Sequence, residues 1–192
     1  MAEYCYTNYI FYSDEEESLK AFRSNIQELS SKCSDRLCNI ANVVLDSSNP
    51  LVSEIGGTIE CISSIEGNAF QIDVETKYTP DPRIWDEILK AYPNVGYVYR
   101  AEEPEFGVFI NTDSSGKYFP EKYYAALIQD EEVVSEDYFE TESDLLDTVN
   151  KWMLSEVPGG FRDFDDLIAF RDGYNNTDKD NCLKVYNYKN SL

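Results

Sequence analysis

The chain opens with a hydrophobic segment, Tyr4 to Tyr12, whose aromatic and aliphatic residues fall on both alternating faces. This pattern is typical of a central strand that is covered on part of each side. Acids follow from Asp14 to Glu17, and apolar residues then recur at helical spacing at Leu19, Phe22, Ile26 and Leu29. Ser13, with Glu16 three residues later, predicts a capping box. The sequence therefore predicts a strand followed by an amphipathic helix.

A hairpin and a second helix are predicted next. Residues 58–63 and 69–78 read as two strands around a turn at Gly67, and the second strand alternates apolar and polar residues. Asp81 and Pro82 occupy the preferred cap and first positions of a helix that ends before Pro93. A short helix over residues 37–45 is a further prediction.

The remaining chain predicts more strands and then helices. A strand pair is expected over residues 95–101 and 106–111, and another strand near residues 118–128. Thr141 and Asp144 are predicted to cap a helix that ends at Pro158, and a last helix is expected over residues 163–170, ending at Gly173. Residues 183–188 predict an edge strand or a docked tail.

The opening order of strand, helix, strand, strand, helix, strand is the split βαβ arrangement of ferredoxin-like folds. We therefore predict an α+β fold: a ferredoxin-like (βαββαβ) antiparallel sheet with helices on one face, extended by extra strands and C-terminal helices. Residues 1–128 are the predicted ferredoxin-like domain. Residues 129–192 are a predicted acidic helical extension packed on the same domain.

The chain of 192 residues contains no histidine. This removes the commonest general base, the commonest metal ligand and every nucleophile activated by histidine. Catalysis would have to depend on carboxylates, tyrosine, lysine or cysteine. We therefore expect a protein that is not an enzyme and needs no cofactor.

The net charge of −21 indicates a basic protein as partner, because acidic surfaces repel nucleic acid and anionic lipid. No signal peptide or membrane span is predicted, so we expect a cytoplasmic protein. The odd number of cysteines favours reduced thiols. Cys33 and Cys38 lack the second close pair that a zinc site needs, and no metal is predicted. The oligomeric state is not predicted.

Several short motifs resemble one known family. They are the opening Met1-Ala2-Glu3-Tyr4-Cys5-Tyr6-Thr7-Asn8, the turn Tyr78-Thr79-Pro80 before Trp85, the helix end Ala91-Tyr92-Pro93, and Glu102-Glu103-Pro104 through Gly107. Over roughly residues 1–128 the chain is similar to the YubB-like ferredoxin-like domain. This resemblance implies a protein of plasmids, phages or other mobile elements, and it carries over no catalytic residue. Many members have Trp where this chain has Tyr4, and the C-terminal region lies outside the pattern.

The predicted binding face combines aromatic and acidic residues in the middle of the chain. Tyrosines beside acids are typical of protein-binding surfaces, whereas RNA platforms pair aromatics with lysine and arginine. The predicted binding residues are Trp85, Tyr99, Glu102, Glu103, Phe109, Asp113 and Tyr118. An alternative is a carboxylate-dependent hydrolase that uses Glu102, Glu103 or Asp113 with a tyrosine, since paired carboxylates can separate their pKa values. A solvated hairpin loop is the simpler interpretation of those acids.

Two loops resemble the start of a calcium loop. Asn111, Asp113, Ser115 and Gly116 match its first positions, but Lys122 occupies the twelfth, where the loop requires Glu. Asn176, Asp178 and Asp180 repeat the pattern weakly. A calcium-stabilised structural module is therefore a further alternative to tight turns.

The segment from Asp130 to Asp147 contains nine acids and no base. Acids spaced in rows along a strand and a helix can imitate DNA phosphates and occupy a DNA-acting protein. A solvated face that aids solubility is the other interpretation.

Overall fold

The computed structural model describes residues 4–46, 48–104, 106–177 and 181–189. It confirms an α+β protein with antiparallel sheets and helices. The chain divides into two compact units, residues 1–113 and 114–190. Within the described ranges no helix combines the length and apolar character needed to cross a bilayer.

The first unit contains a five-stranded sheet in the order β2-β3-β1-β4-β5, with every neighbouring pair antiparallel. Its strands are β1 Tyr4–Tyr12, β2 Thr58–Ile62, β3 Ala69–Lys77, β4 Gly96–Glu103 and β5 Val108–Asn111. Its helices are α1 Glu16–Cys33, α2 Leu37–Val44, α3 Leu51–Glu54 and α4 Arg83–Leu89.

The helices cover one face of this sheet because β1 and β3 alternate buried and accessible residues. Tyr9 and Phe11 on β1 lie in one core with Phe22 of α1 and Trp85 of α4. The residues of opposite phase on β1, including Tyr6, lie on the other face, which we call the open face. The first sheet thus has a helix-covered face and an open face.

The predicted capping box at Ser13 is wrong. Helix α1 begins at Glu16, and its N-cap residue, Glu15, makes no side-chain capping bond. Ser13 Oγ instead accepts a hydrogen bond from Glu15 N at 3.0 Å and donates one to Asn94 O at 2.7 Å. The serine therefore ties the end of β1 to the loop before β4.

The second unit contains a three-stranded sheet in the order β7-β6-β8. Its elements are β6 Tyr123–Gln129, β7 Glu132–Phe139, α5 Glu142–Trp152, α6 Phe164–Thr177 and β8 Cys182–Asn187. The predicted cap of α5 is confirmed, since Thr141 Oγ1 accepts a hydrogen bond from Asp144 N at 3.2 Å. A separate core includes Leu127, Leu145 and Leu183.

The predicted boundary after residue 128 differs from the division of the structure, which falls after Asp113. The reason is the pairing of β6, whose partners are β7 and β8. Of the predicted extra strands, β5 widens the first sheet, whereas β6 starts the second. The C-terminal segment is an edge strand, β8, which pairs with β6.

Candidate functional site

Five of the predicted binding residues are buried and form no exposed surface. They are Trp85, Tyr99, Glu103, Phe109 and Asp113. Trp85 packs edge-on against Tyr9 and Phe11, with ring centroids 5.6 and 5.3 Å away. Within the described part of the chain, its indole nitrogen has no acceptor at hydrogen-bond geometry. The other two predicted residues, Glu102 and Tyr118, are partly accessible.

The carboxylates proposed for hydrolase chemistry do not converge on one face. Glu102 and Glu103 are consecutive residues of β4, so their side chains point to opposite faces of the sheet. Glu103 lies on the helix-covered side, where its carboxylate accepts a hydrogen bond from Phe106 N and holds the turn between β4 and β5. Asp113 N donates to Asn111 Oδ1 at 2.9 Å. Glu105, a further acid of the loop after β4, lies outside the described residues.

One of the two predicted calcium loops forms a local turn, and the other lies partly outside the described residues. Asn111 ends β5, and its side chain closes a local turn with Asp113 N. Asp178 and Asp180 lie outside the described residues. Across the described ranges, no group of three or more acids or cysteines is placed to hold a metal ion. All cysteines, including Cys33 and Cys38, are free thiols.

Exposed aromatic side chains gather instead at one end of the first sheet. Tyr4 and Tyr6 lie at the start of β1, Tyr78 follows the end of β3, and Phe106 lies in the turn between β4 and β5. Tyr6 and Phe106 are each 58% exposed. The rings of Tyr78 and Phe106 meet edge to face, with centroids 5.4 Å apart. We call these four residues the aromatic patch.

Two acids flank the patch on the open face. Tyr6 stands directly opposite Glu75 on β3 and directly opposite Glu102 on β4. The negative charge of Glu75 raises the pKa of the Tyr6 phenol above its ordinary value, because it disfavours the phenolate. Glu102 also contacts Arg100, with Oε1 at 3.4 Å from Nε. An aromatic ring thus lies between two carboxylates on the central strand.

The backbone at Tyr78 is strained. Its φ of 67° is unusual for a bulky residue, and Thr79 N donates to Lys77 O at 2.9 Å, which closes a γ-turn. Lys77 Nζ lies 4.7 Å from the centre of the Tyr78 ring. Such strain persists only where the surroundings enforce it, and it concentrates at functional sites. Here it fixes the ring that contacts Phe106.

A cleft of about 330 Å³ adjoins the patch, and its lining includes Tyr4 of the patch and the flanking acid Glu75. Arg36, Cys38 and Gly57 also line this cleft. A Cβ at Gly57 would lie 2.7 Å from Glu75 O, and the φ of Gly57 is +119°, so glycine is required for this close approach. A second cleft, of about 280 Å³, lies beside β2. Neither of these two clefts is lined by Glu102, Glu103 or Asp113.

Sequence reasoning missed Tyr4 and Tyr6 because β1 carries large side chains in both phases. The alternation of residues along β1 shows that the strand has two faces, but it does not show which face the helices cover. The acids opposite Tyr6 in the neighbouring strands are the signal that separates the two phases, but it requires the strand register.

A scan against protein-family models found no matching family, and searches of curated proteins and of solved structures found no match.

Proposed function

We propose that this chain is a cytosolic, non-catalytic protein that binds a basic protein through the aromatic patch and its flanking acids. The observation that carries the proposal is Tyr6, an exposed ring placed between Glu75 and Glu102 by the strand register. A guanidinium or ammonium group can lie over such a ring while it pairs with the carboxylates. Exposed aromatics beside acids suit a cationic partner and disfavour nucleic acid.

The cleft beside Tyr4 supports the same proposal. Its lining combines Glu75 with the positive charges of Arg36 and Lys77, so it can accept a polar segment next to the cation bound at Tyr6. The edge-to-face pair of Tyr78 and Phe106 adds apolar area at the margin. Interfaces commonly combine an aromatic anchor with a polar rim.

The experiment is an NMR titration of the full chain with a short arginine-rich peptide, and with a peptide in which citrulline replaces every arginine. We expect the arginine peptide to shift the amide signals of Tyr4, Tyr6, Glu75 and Glu102 and to bind more weakly as salt rises. Tyr6→Ala should weaken binding about two- to fivefold, as expected for an exposed cation–π contact. Tyr6→Phe should retain it.

Matched controls separate a site from general charge attraction. Glu75→Gln should weaken binding, whereas Asp14→Asn, which removes an equal charge from the exposed segment before α1, should not. Signal changes spread evenly over the acidic surface, or an unchanged affinity in Tyr6→Ala, would refute the proposal.

Inhibition of a DNA-acting protein is a more specific form of binding to a basic protein, and it would use acids of the second unit in place of the aromatic patch. Its support is the exposure of the acids from Asp130 to Asp147, all of which are exposed except Glu142. Most of these acids lie along strand β7 and helix α5, so the regular backbone fixes the spacing between them. A gel-shift assay in which the chain releases a basic DNA-binding protein from labelled duplex tests this form, and failure to compete at low salt would contradict it.

We also propose that the first unit is an elaborated ferredoxin-like domain of the YubB-like kind from a mobile element. Support comes from the element order and from the positions of β3 and β4 on either side of β1. The additional helices α2 and α3 and the edge strand β5 are the elaborations. An experimental structure with a different order for the first four strands would disprove the fold proposal.

A further inference from the structure

The second unit has an exposed sheet edge. Strand β7 is the terminal strand of the three-stranded sheet and pairs with β6. Except for Ser135 and Phe139, its residues are exposed, so its length is open to solvent. An edge strand that is long and accessible is a template for pairing with another chain.

The composition of β7 favours pairing rather than protection. Val133 and Val134 are 55% and 50% exposed, and Tyr138 is also exposed. Proline and lysine, which commonly block edge strands, do not occur in β7. Exposed β-branched and aromatic residues on a strand suit cross-strand contacts with an added strand.

The charges of β7 select the partner. The strand carries Glu132, Glu136 and Asp137 and no base. A second copy of this chain would place acid beside acid along the new pair, which destabilises it. A basic strand would place lysine or arginine beside those acids. The edge therefore fits a basic segment better than a second copy.

One local contact engages a backbone amide of β7. Asp137 Oδ1 accepts a hydrogen bond from Tyr138 N at 2.8 Å. An incoming strand would replace this carboxylate with a backbone carbonyl, and the released carboxylate could pair with a basic side chain of that strand.

We infer that the edge of β7 receives an extended basic segment of another protein, which adds to the sheet as a further strand. Strand addition derives affinity from backbone hydrogen bonds and specificity from side chains at alternate positions. This inference concerns the second unit and does not depend on the aromatic patch of the first.

The test measures fluorescence anisotropy of a labelled peptide of alternating lysine and valine on the full chain. The control peptide has the same sequence with N-methyl groups at alternate residues, which remove the donors of one peptide edge and keep the charge. We expect the N-methyl peptide to bind at least about tenfold more weakly, because several backbone hydrogen bonds are lost. Amide signals of β7 should shift with the unmodified peptide.

Matched protein variants locate the site. Glu132→Lys should weaken binding about tenfold, whereas Asp147→Lys, an equal charge change on α5, should weaken it less than about threefold. Tyr6→Ala should leave this peptide's affinity unchanged, so the test is independent of the binding proposed for the aromatic patch. Equal binding of the two peptides, equal effects of the two lysine variants, or a dimer that Glu132→Lys stabilises would each overturn the inference.

Discussion

The acids of α1 in the first unit and those from Asp130 to Asp147 in the second unit lie in different surroundings. In the first unit, acids on helices pair with nearby bases, as in Glu16 with Lys20 at 2.7 Å. In the second unit, the acids from Asp130 to Asp147 make no ion pair within the described ranges. Paired surface charges chiefly support local structure, whereas unpaired charges project a field toward a partner. The acids of α1 thus support their own helix, whereas those from Asp130 to Asp147 remain without an ion pair in the described ranges.

The cores differ as well. The first unit packs Tyr9, Phe11, Phe22 and Trp85 into one aromatic cluster against its sheet. The second unit buries mainly aliphatic residues, and its tryptophan, Trp152, lies only partly inside. Large buried rings leave large cavities when truncated, so the first core should be more sensitive to a single substitution.

Truncating the two tryptophans gives the largest expected contrast. Trp85→Ala should lower the free energy of unfolding by about 3 to 5 kcal/mol, because a fully buried ring is removed. Trp152→Ala should cost about half as much, since that ring is partly solvated. Urea unfolding followed by circular dichroism measures both. Equal losses would show that the two cores do not differ in this respect.

Trp85→Phe sharpens the same comparison. It keeps an aromatic ring in contact with Tyr9 and Phe11 and removes the buried indole N–H, which lacks an acceptor in the described part of the chain. We therefore expect Trp85→Phe to be clearly more stable than Trp85→Ala, because the retained ring leaves a smaller cavity. Removing the unsatisfied donor should offset part of the remaining loss. Stability equal to that of the alanine variant would contradict this account.

Elements with a buried stripe were predictable from the sequence. Helix α1 buries Leu19, Phe22 and Ile26 at helical spacing, and the prediction identified that spacing directly. The cap at Thr141 was equally readable, because a short side chain bonds a backbone amide three residues away. Such features depend on local chemistry.

Elements held by distant partners were not predictable. Strand β7 was not predicted, since an exposed edge strand needs backbone pairing and little apolar alternation. Helix α6 was expected to end at Gly173 but continues to Thr177. Asn175 explains the extension, because its side chain bonds both Leu183 N, at 2.8 Å, and Leu183 O, at 2.9 Å. The local sequence pattern around Asn175 does not reveal this contact with β8.

The candidate site shows the same division. The sequence indicated an acidic, tyrosine-rich face, and Glu102 is the predicted residue that also flanks the aromatic patch. The burial of Trp85 and Tyr99 could not be read from composition, because aromatic residues serve cores and surfaces alike. Placing Tyr6 between Glu75 and Glu102 required the registers of two strand pairs.

The thiols of the two sheets offer a second contrast. Burial raises the pKa of Cys5 on β1 to about 11, from an ordinary value of 9.0, whereas Cys182 on β8 is partly accessible. At pH 8 the Cys5 thiolate should be about a hundredfold scarcer than in an ordinary thiol, because two pH units separate the pKa values. Iodoacetamide labelling read by mass spectrometry should modify Cys182 before Cys5.

The pH dependence of stability follows from the same shift. Because the folded pKa of Cys5 is raised, its neutral thiol supports the fold fully below about pH 9 and loses that contribution as pH approaches about 11. Cys5→Ala should reduce the loss of stability between these pH values. Rapid labelling of Cys5 at pH 8 in the folded chain would contradict the assignment.

The two-residue turn between β6 and β7 has a strained backbone, and a substitution there can measure that strain. Asp130 and Glu131 have φ values of 52° and 65°, as a two-residue turn of the I′ type requires, although glycine is preferred at the second position. Glu131→Gly should raise the free energy of unfolding by about 1 kcal/mol, because it relieves a left-handed conformation. Ser135→Gly, an interior strand change, should lower stability. Destabilisation by Glu131→Gly would show that the acid itself supports the turn.

Neutralising one acid in each unit is the finest test of the contrast in charge. Glu28 lies beside Lys32, which lowers the pKa of the Glu28 carboxyl below its ordinary value. At a pH where that carboxyl is ionised, Glu28→Gln should therefore lower the melting temperature by a small amount. Glu132 lies beside Asp130 and Glu131 with no base in the strand, so Glu132→Gln should raise it slightly. Calorimetry at low and high salt should show both shifts shrinking with salt, since screening weakens attraction and repulsion alike. Shifts of the same sign would mean that the acids of the two units do not differ in their surroundings, and the recognition role argued for β7 would lose its electrostatic basis.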